Sequence, residues 1–319
     1  MSCEKKCFKT SIGGQAVLEG VMMRGPEKIA VAVRKSGGEI VSDIEEITPA
    51  SKRCAFLKLP IIRGCVAFFD SLITGVRTLM KSADMYDLEE DPTYQPSKAD
   101  EIVEKIFKSK DAVIYFSVVL AVVFSVGLFF IIPGIIFNLL EKVIESRMLL
   151  NAVEGVIRIA IFLGYLALVS INKDIQRVFQ YHGAEHKTIF AYENGEELTV
   201  ENVRKYKRFH PRCGTSFLVF IMIISILVFS IIPKEIGGFH LGGFGTIAVK
   251  LLLLPFISGI SYEIIKWAGR SDNKIVVALS KPGMMLQKLT TREPDDSQIE
   301  VAIAALTAVI PENREEDKW

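Results

Sequence analysis

The chain has 319 residues, a net charge of +1, 50% hydrophobic residues and a mean hydropathy of +0.33. A soluble protein of this length seldom averages so apolar, so membrane spans are expected. The near-zero charge excludes a nucleic-acid binder, which carries a marked basic excess. The cysteines Cys3, Cys7, Cys54, Cys65 and Cys213 are odd in number and lack framework spacing, as in a reduced compartment. Cys3 and Cys7 can bind a metal or take a lipid, but two free thiols is the simpler reading near a flexible terminus. The first residues are polar and basic with no apolar run behind them, unlike a secretory signal.

Residues 1–58 are expected to form a small strand-rich cytoplasmic element. Ile29 to Val33 and Ile40 to Ile44 flank Gly37-Gly38, a hairpin signal. Upstream, GGQAVLEGVMMRGP lacks the spacing of a phosphate loop and is read as a strand with bends. Residues 59–82 change period. Ile61, Ile62, Cys65, Phe69, Leu72, Ile73, Val76 and Leu79 recur at helical spacing with charges between them. This predicts an amphipathic helix too charged to span, with Phe68, Phe69 and Leu72 facing either the membrane interface or the sheet. Residues 83–111 are an acidic, proline-bearing linker and juxtamembrane segment.

Four spans are predicted as two pairs, within 112–172 and 214–262. Ala112 to Leu140 is free of charge and has a kink expected at Pro133-Gly134. Leu149 to Ile171 carries Glu154 and Arg158, an i, i+4 pair able to neutralise itself near an interface. Gly214 to Pro233 is uncharged, and Phe244 to Tyr262 holds Lys250, which must snorkel or face the bundle. The stretch 173–213 holds eight lysines and arginines and the loop 234–243 holds one, which predicts both termini and 173–213 in the cytoplasm. Residues 263–319 read as a cytoplasmic tail. Lys281-Pro282-Gly283 is expected to turn, and Asp295 or Asp296 to cap a helix with Ile299, Ile303, Leu306 and Ile310 on its apolar face.

The fold class is therefore mainly α, an integral four-helix transmembrane bundle with a small N-terminal β element and a helical tail. Its chemistry concentrates in 173–213, which holds three of the four histidines. His182 and His186, spaced i, i+4, put both rings on one helix face. His210 and Cys213 sit in HPRCG, a tight knuckle if Gly214 takes a left-handed turn. Together they form H-x3-H…H-x2-C, a candidate zinc set, against which stands chance clustering in a basic loop. His182-Gly-Ala-Glu185-His186 also matches the inverted zinc-peptidase motif. Glu185 lies about 60° from His182 on the helical wheel, beside the ligand face, where it can act as catalytic base. If His210 and Cys213 both bind, the shell is full and structural. If only one binds, a position opens for catalysis.

GGQAVLEGVMMRGP, YHGAEHKTI, RFHPRCGTSF and QKLTTREPDD together resemble the YqhQ-like family of bacterial membrane proteins of unknown function, described as predicted metal-dependent enzymes. The resemblance covers nearly the whole chain. It implies an integral protein of the bacterial cytoplasmic membrane, points to His182, Glu185, His186, His210 and Cys213, and draws attention to Gln15, Glu19 and Arg24. Three readings are carried forward. The first is a zinc-dependent hydrolase at the membrane surface, with His182, His186 and His210 as ligands and Glu185 as base. The second is a scaffold or regulator with a structural zinc, and the third a transporter hinted at by Lys250 and Glu154–Arg158. Expected partners are the lipid bilayer and a second copy or another membrane protein.

Overall fold

The computed structural model describes residues 8–48, 55–86, 110–232, 235–236, 239–240, 243–270 and 274–317. Cys3, Cys7, Cys54 and the acidic stretch from residue 87 onward lie outside them. The protein is mainly helical with a small N-terminal antiparallel sheet. It divides into two compact units, the first built from residues 1–88, 167–221 and 258–319 and the second from 89–166 and 222–257.

In the first unit, β1 (Gly13–Val17), β2 (Gly20–Arg24), β3 (Lys28–Arg34) and β4 (Ile40–Glu46) form a meander in sequence order. The expected hairpin is present, with Arg34 paired to Ile40 and Gly38 at φ +89° in its turn. The stretch read as one bent strand is instead a second hairpin, Val17 facing Gly20 across Leu18-Glu19. Glu19 has φ 48°, a position glycine or asparagine usually fills, so the turn left no sequence signal. Its carboxylate is gripped by Arg177 and by the Tyr181 hydroxyl at 3.2 Å, which holds the turn in place.

Alternation sends the strands' side chains to two faces, and both are covered. Val21, Met23, Ala30 and Ala32 pack with Tyr181, Ile299, Leu306 and Val309. The opposite face, Val17, Met22, Ile29, Val31 and Val33, meets Met85 and Tyr86. Met85 and Tyr86 end α1 (Ile62–Tyr86), whose buried residues are Gly64, Thr78 and Ser82. The hydroxyls of Thr78 and Ser82 donate to α1's own carbonyls at 2.9 and 2.7 Å, so this polar face is satisfied in burial. The apolar residues Phe69, Leu72, Ile73 and Leu79 are 50–68% exposed, so much of the apolar stripe is left uncovered.

Unit 1 also holds the tail. The turn expected at Lys281–Gly283 is absent, and one helix, Lys274–Thr290, runs through Pro282. The last helix, Asp296–Val309, starts as expected at Asp295, which forms a capping box with Gln298. Its buried side includes Ile299 and Leu306 but adds Val301, Ala302, Ala305 and Val309, whereas Ile303 and Ile310 are only partly buried.

In the second unit the first predicted span runs through α2 (Lys110–Val126), a π turn (Gly127–Ile131) and α3 (Ile132–Leu140). The kink expected at Pro133 appears as this π turn. Pro133 has no N–H for the Phe129 carbonyl, and Arg158 donates to it instead at 3.3 Å. Arg158 belongs to α4 (Arg147–Val169). Among the described residues three helices, Tyr115–Leu140, Leu149–Val169 and Gly245–Ala268, are long and apolar enough to cross a membrane, and a further apolar helix, Phe217–Ile231, is shorter. Lys250 neither snorkels nor stands alone. It lies 2.7 Å from Glu154, which also accepts from Arg158 at 2.6 Å, so one buried carboxylate serves two cations.

Candidate metal centre

The centre lies in unit 1 on α5 (Lys173–Glu193), the helix that the spacing of His182 and His186 called for. Asn172 starts the helix by accepting from the Asp174 and Ile175 amides. Its second half is buried almost continuously from Tyr181 to Glu193 despite many polar side chains. Gly183 makes that burial possible. A Cβ there would sit 2.1 Å from the Arg292 carbonyl, so the segment after Thr290 presses directly on the helix backbone.

His182 and His186 share one face, as their spacing predicts, with ring centroids 4.4 Å apart. Each ring is anchored by Nδ1 to a backbone carbonyl, His182 to Thr290 at 2.8 Å and His186 to Arg208 at 2.5 Å. Both Nε2 atoms are thereby turned inward. Cys213 joins them, with Sγ 3.2 Å from His182 Nε2. It stands between the short α6 (Val200–Arg204) and α7 (Gly214–Ile231), just ahead of the latter, and its sulfur accepts from the Thr215 amide at 3.5 Å. Gly214 is the first residue of that helix and takes no left-handed turn.

The three ligand atoms of His182, His186 and Cys213 all lie within 4.8 Å of one another. His210 is not among them. Gln287 grips its backbone at both ends, accepting from its N–H at 2.8 Å and donating to its carbonyl at 2.7 Å. The ring then meets Glu193 at 3.5 Å, beside Arg212, which pairs with the same carboxylate. Burial lowers the His210 pKa, so its ring is neutral.

Glu185 is 4% exposed on the same helix. Burial raises its carboxyl pKa, the neighbouring imidazoles of His182 and His186 oppose that, and the Gly14 amide donates to it. Gly14 has no room for a side chain, since a Cβ would lie 2.9 Å from Glu185 Cδ. Burial would likewise raise the Cys213 thiol, but His186 and His182 hold it well below its usual value. For His182 burial works downward, yet the Cys213 thiolate lifts the pKa to about 9. The cluster thus keeps a proton beside a thiolate, in the place a cation would take.

Four buried side-chain polar atoms among the described residues have no hydrogen-bond partner, and two of them are here, Glu185 Oε2 and His186 Nε2. Such atoms cost about 1–3 kcal/mol each unless something binds them. Zinc bonds of about 2.0–2.3 Å in a tetrahedron hold ligand atoms about 3.3–3.8 Å apart, close to the His182–Cys213 separation. Two imidazole nitrogens and a thiolate, with Nδ1 anchored on carbonyls, fit a zinc-type ion.

Sequence reasoning gave no role to Thr290 and Arg208, which orient the two rings, or to Gln287, which holds the His210 backbone. Gln287 and Thr290 fall in QKLTTREPDD and Arg208 in RFHPRCGTSF, strings that carry the family resemblance without showing these roles. Of the residues singled out near the start, Gln15 donates to the Gly75 carbonyl at 3.5 Å and Arg24 pairs with Asp70 at 2.6 Å.

Residues 59–312 match the family model described as "Protein of unknown function (DUF1385)". The chain is 32% identical over 303 residues to the "Uncharacterized protein YqhQ" of Bacillus subtilis (strain 168), covering 93% of this chain and 92% of that one. No solved structure matches the chain.

Proposed function

The chain belongs to the DUF1385 family of proteins of unknown function, and from that premise we propose that it is a metal-dependent hydrolase at the cytoplasmic face of a bacterial membrane. One observation carries the reading. Both histidines are fixed through Nδ1 to carbonyls so that two Nε2 atoms and the Cys213 sulfur converge, with the buried Glu185 carboxylate beside them. His182, His186 and Cys213 would hold the ion, which would supply Lewis acidity. Three protein ligands leave a position open, which favours catalysis over a structural zinc. Glu185 would orient the attacking water and take its proton, and burial raises its basicity above that of an ordinary carboxylate. His210 serves the reaction indirectly by closing the turn that carries Cys213.

Four spans and cytoplasmic termini go with this reading. Unit 1 draws together the chain before the first span, the stretch 167–221 and the chain after residue 258. Their sharing one compact unit supports placing the bulk of all three on one side of the membrane, with an even number of crossings between each and the next. The shorter helix Phe217–Ile231 then crosses as the partner of Gly245–Ala268.

The test is metal analysis of the purified full-length protein with five variants. His182→Ala, His186→Ala and Cys213→Ser should lose the ion, and His210→Ala should keep it. Glu185→Gln should keep the ion and reduce function about a hundred- to ten-thousand-fold in complementation of a deletion strain. Loss of metal in His210→Ala together with full function in Glu185→Gln would reject the hydrolase in favour of a structural site.

A second reading has its own observation, the His182–Cys213 contact at a helix N-terminus, which suits a metal-free thiolate nucleophile. It requires activity to survive chelation, whereas the metal reading requires activity to vanish.

A further inference from the structure

The centre opens into a cavity of about 820 Å³ within unit 1. That is near the upper end of small-molecule sites. Its two ends differ in chemistry. At one end stand His182, Glu185 and Cys213 with the Arg212 side chain. From there the wall turns apolar along Phe68 and Leu72 of α1, Phe217 and Leu218 of α7, and Ile265 of α8 (Gly243–Arg270). Phe217 and Leu218 fall in the first turn of an apolar helix, and Ile265 in the last turns of one long enough to cross a membrane. Leu72 and Leu218 are also 52% and 43% exposed, so the apolar end is open to the surroundings.

Helix α1 says what those surroundings are. An amphipathic helix on a water-facing domain buries its apolar stripe, and α1 does the reverse. It is fastened to α8 within unit 1. A Cβ on Gly64 would lie 2.7 Å from Gly259 Cα, and Arg63 pairs with Glu263. A helix locked to the end of a span with its apolar side outward lies on hydrocarbon.

Resting on the hydrolase reading, we propose that the substrate is a lipid amphiphile drawn from the cytoplasmic leaflet. Its hydrocarbon chain enters between Leu72 and Leu218 and lies along Phe68, Phe217 and Ile265. Its polar linkage reaches Glu185 and the three ligands. A water-soluble peptide or sugar would leave most of this wall bare.

The experiment uses the full-length protein in lipid nanodiscs and a diazirine- and alkyne-bearing palmitic acid as probe. Peptide mapping should find saturable labelling on the segments around Phe68–Leu72 and Phe217–Ile221, displaced by unlabelled palmitate. Leu72→Trp and Leu218→Trp both replace half-exposed side chains, so the fold should survive. Each should cut this labelling about tenfold by filling the cavity, while labelling of the lipid-exposed Leu120 and Val123 stays constant. Labelling that never saturates, that ignores both variants, or that yields to an apolar peptide but not to palmitate overturns the lipid assignment. Metal content is measured on the same samples. Metal without cavity labelling rejects the lipid and leaves the hydrolase centre standing. Cavity labelling without metal rejects the hydrolase centre and leaves a lipid site.

Discussion

Unit 1 and unit 2 each bury a cluster of charged side chains, and the two are built on opposite rules. In unit 2, Glu154 accepts from Arg158 and Lys250, Arg158 also donates to the Phe129 carbonyl, and both cations lie over the Phe229 ring. Every charge there has a partner. In unit 1, His182, Glu185, His186 and Cys213 keep two buried atoms without partners and border an open cavity. Residue type alone does not separate the two, since a buried Glu-Arg-Lys set among apolar helices looks as functional as a His-Glu-Cys set. Saturation separates them. A cluster that satisfies itself has nothing left to offer a ligand, and this weighs against the transporter reading.

The largest effect should come from breaking the saturated cluster. Glu154→Ala leaves two buried cations unpaired, which should cost about 3–5 kcal/mol and appear as loss of folded protein in detergent. Replacing Glu154, Arg158 and Lys250 together by Met or Leu should be neutral or stabilising and should preserve function in complementation. A well-folded triple variant without function would make the triad part of the activity and erase the contrast.

Next in size is metal removal. An ion at a hundred times its dissociation constant stabilises the folded state by about 2.7 kcal/mol. Chelation should therefore lower the unfolding temperature of the wild type. It should leave His186→Ala unchanged and shift the triple unit 2 variant as much as the wild type. An equal shift in His186→Ala would place the ion elsewhere.

A smaller change should follow Gly183→Ala, whose new methyl meets the Arg292 carbonyl. Overpacking of this kind costs about 1–3 kcal/mol and displaces the segment that carries the Thr290 carbonyl, so metal affinity should fall with thermal stability. Gly164 has nothing within 4 Å of its Cβ position, and Gly164→Ala should leave both unchanged. The smallest effect is expected at Asp295→Ala, which removes a capping box whose bonds involve none of the ligands. It should cost about 1 kcal/mol in thermal unfolding without altering metal content.

Much of this was legible where local pattern decides. The hairpin around Gly38, the cap at Asp295, the common face of His182 and His186 and the place of Glu185 beside it all follow from periods of two or 3.6 residues. Expectations failed where distant residues decide. His210 had ligand spacing, but Gln287, 77 residues away, fixes its backbone so that the ring meets Glu193. The turn at Glu19 depends on Arg177, 158 residues on. Pro282 signals a turn by its missing N–H, yet the helix passes through it. The period of α1 revealed a two-faced helix. Its burial of Thr78 and Ser82 rather than Leu72 is a property of the neighbours, not of the stripe.

The anchoring of His182 by Thr290 has a consequence for how the protein is made. The two residues are 108 positions apart, and the helices Phe217–Ile231 and Gly245–Ala268 come between them. At roughly 5–20 residues per second, the ribosome delivers Thr290 about 5–20 s after His182. Throughout that interval the imidazole lacks its anchor, Gly183 lacks the carbonyl it was left bare for, and Gln287 has not arrived to set the cysteine-bearing turn. A nascent or stalled chain therefore has no assembled centre. Under the metal reading, the site can take its ion only once Thr290 has been made.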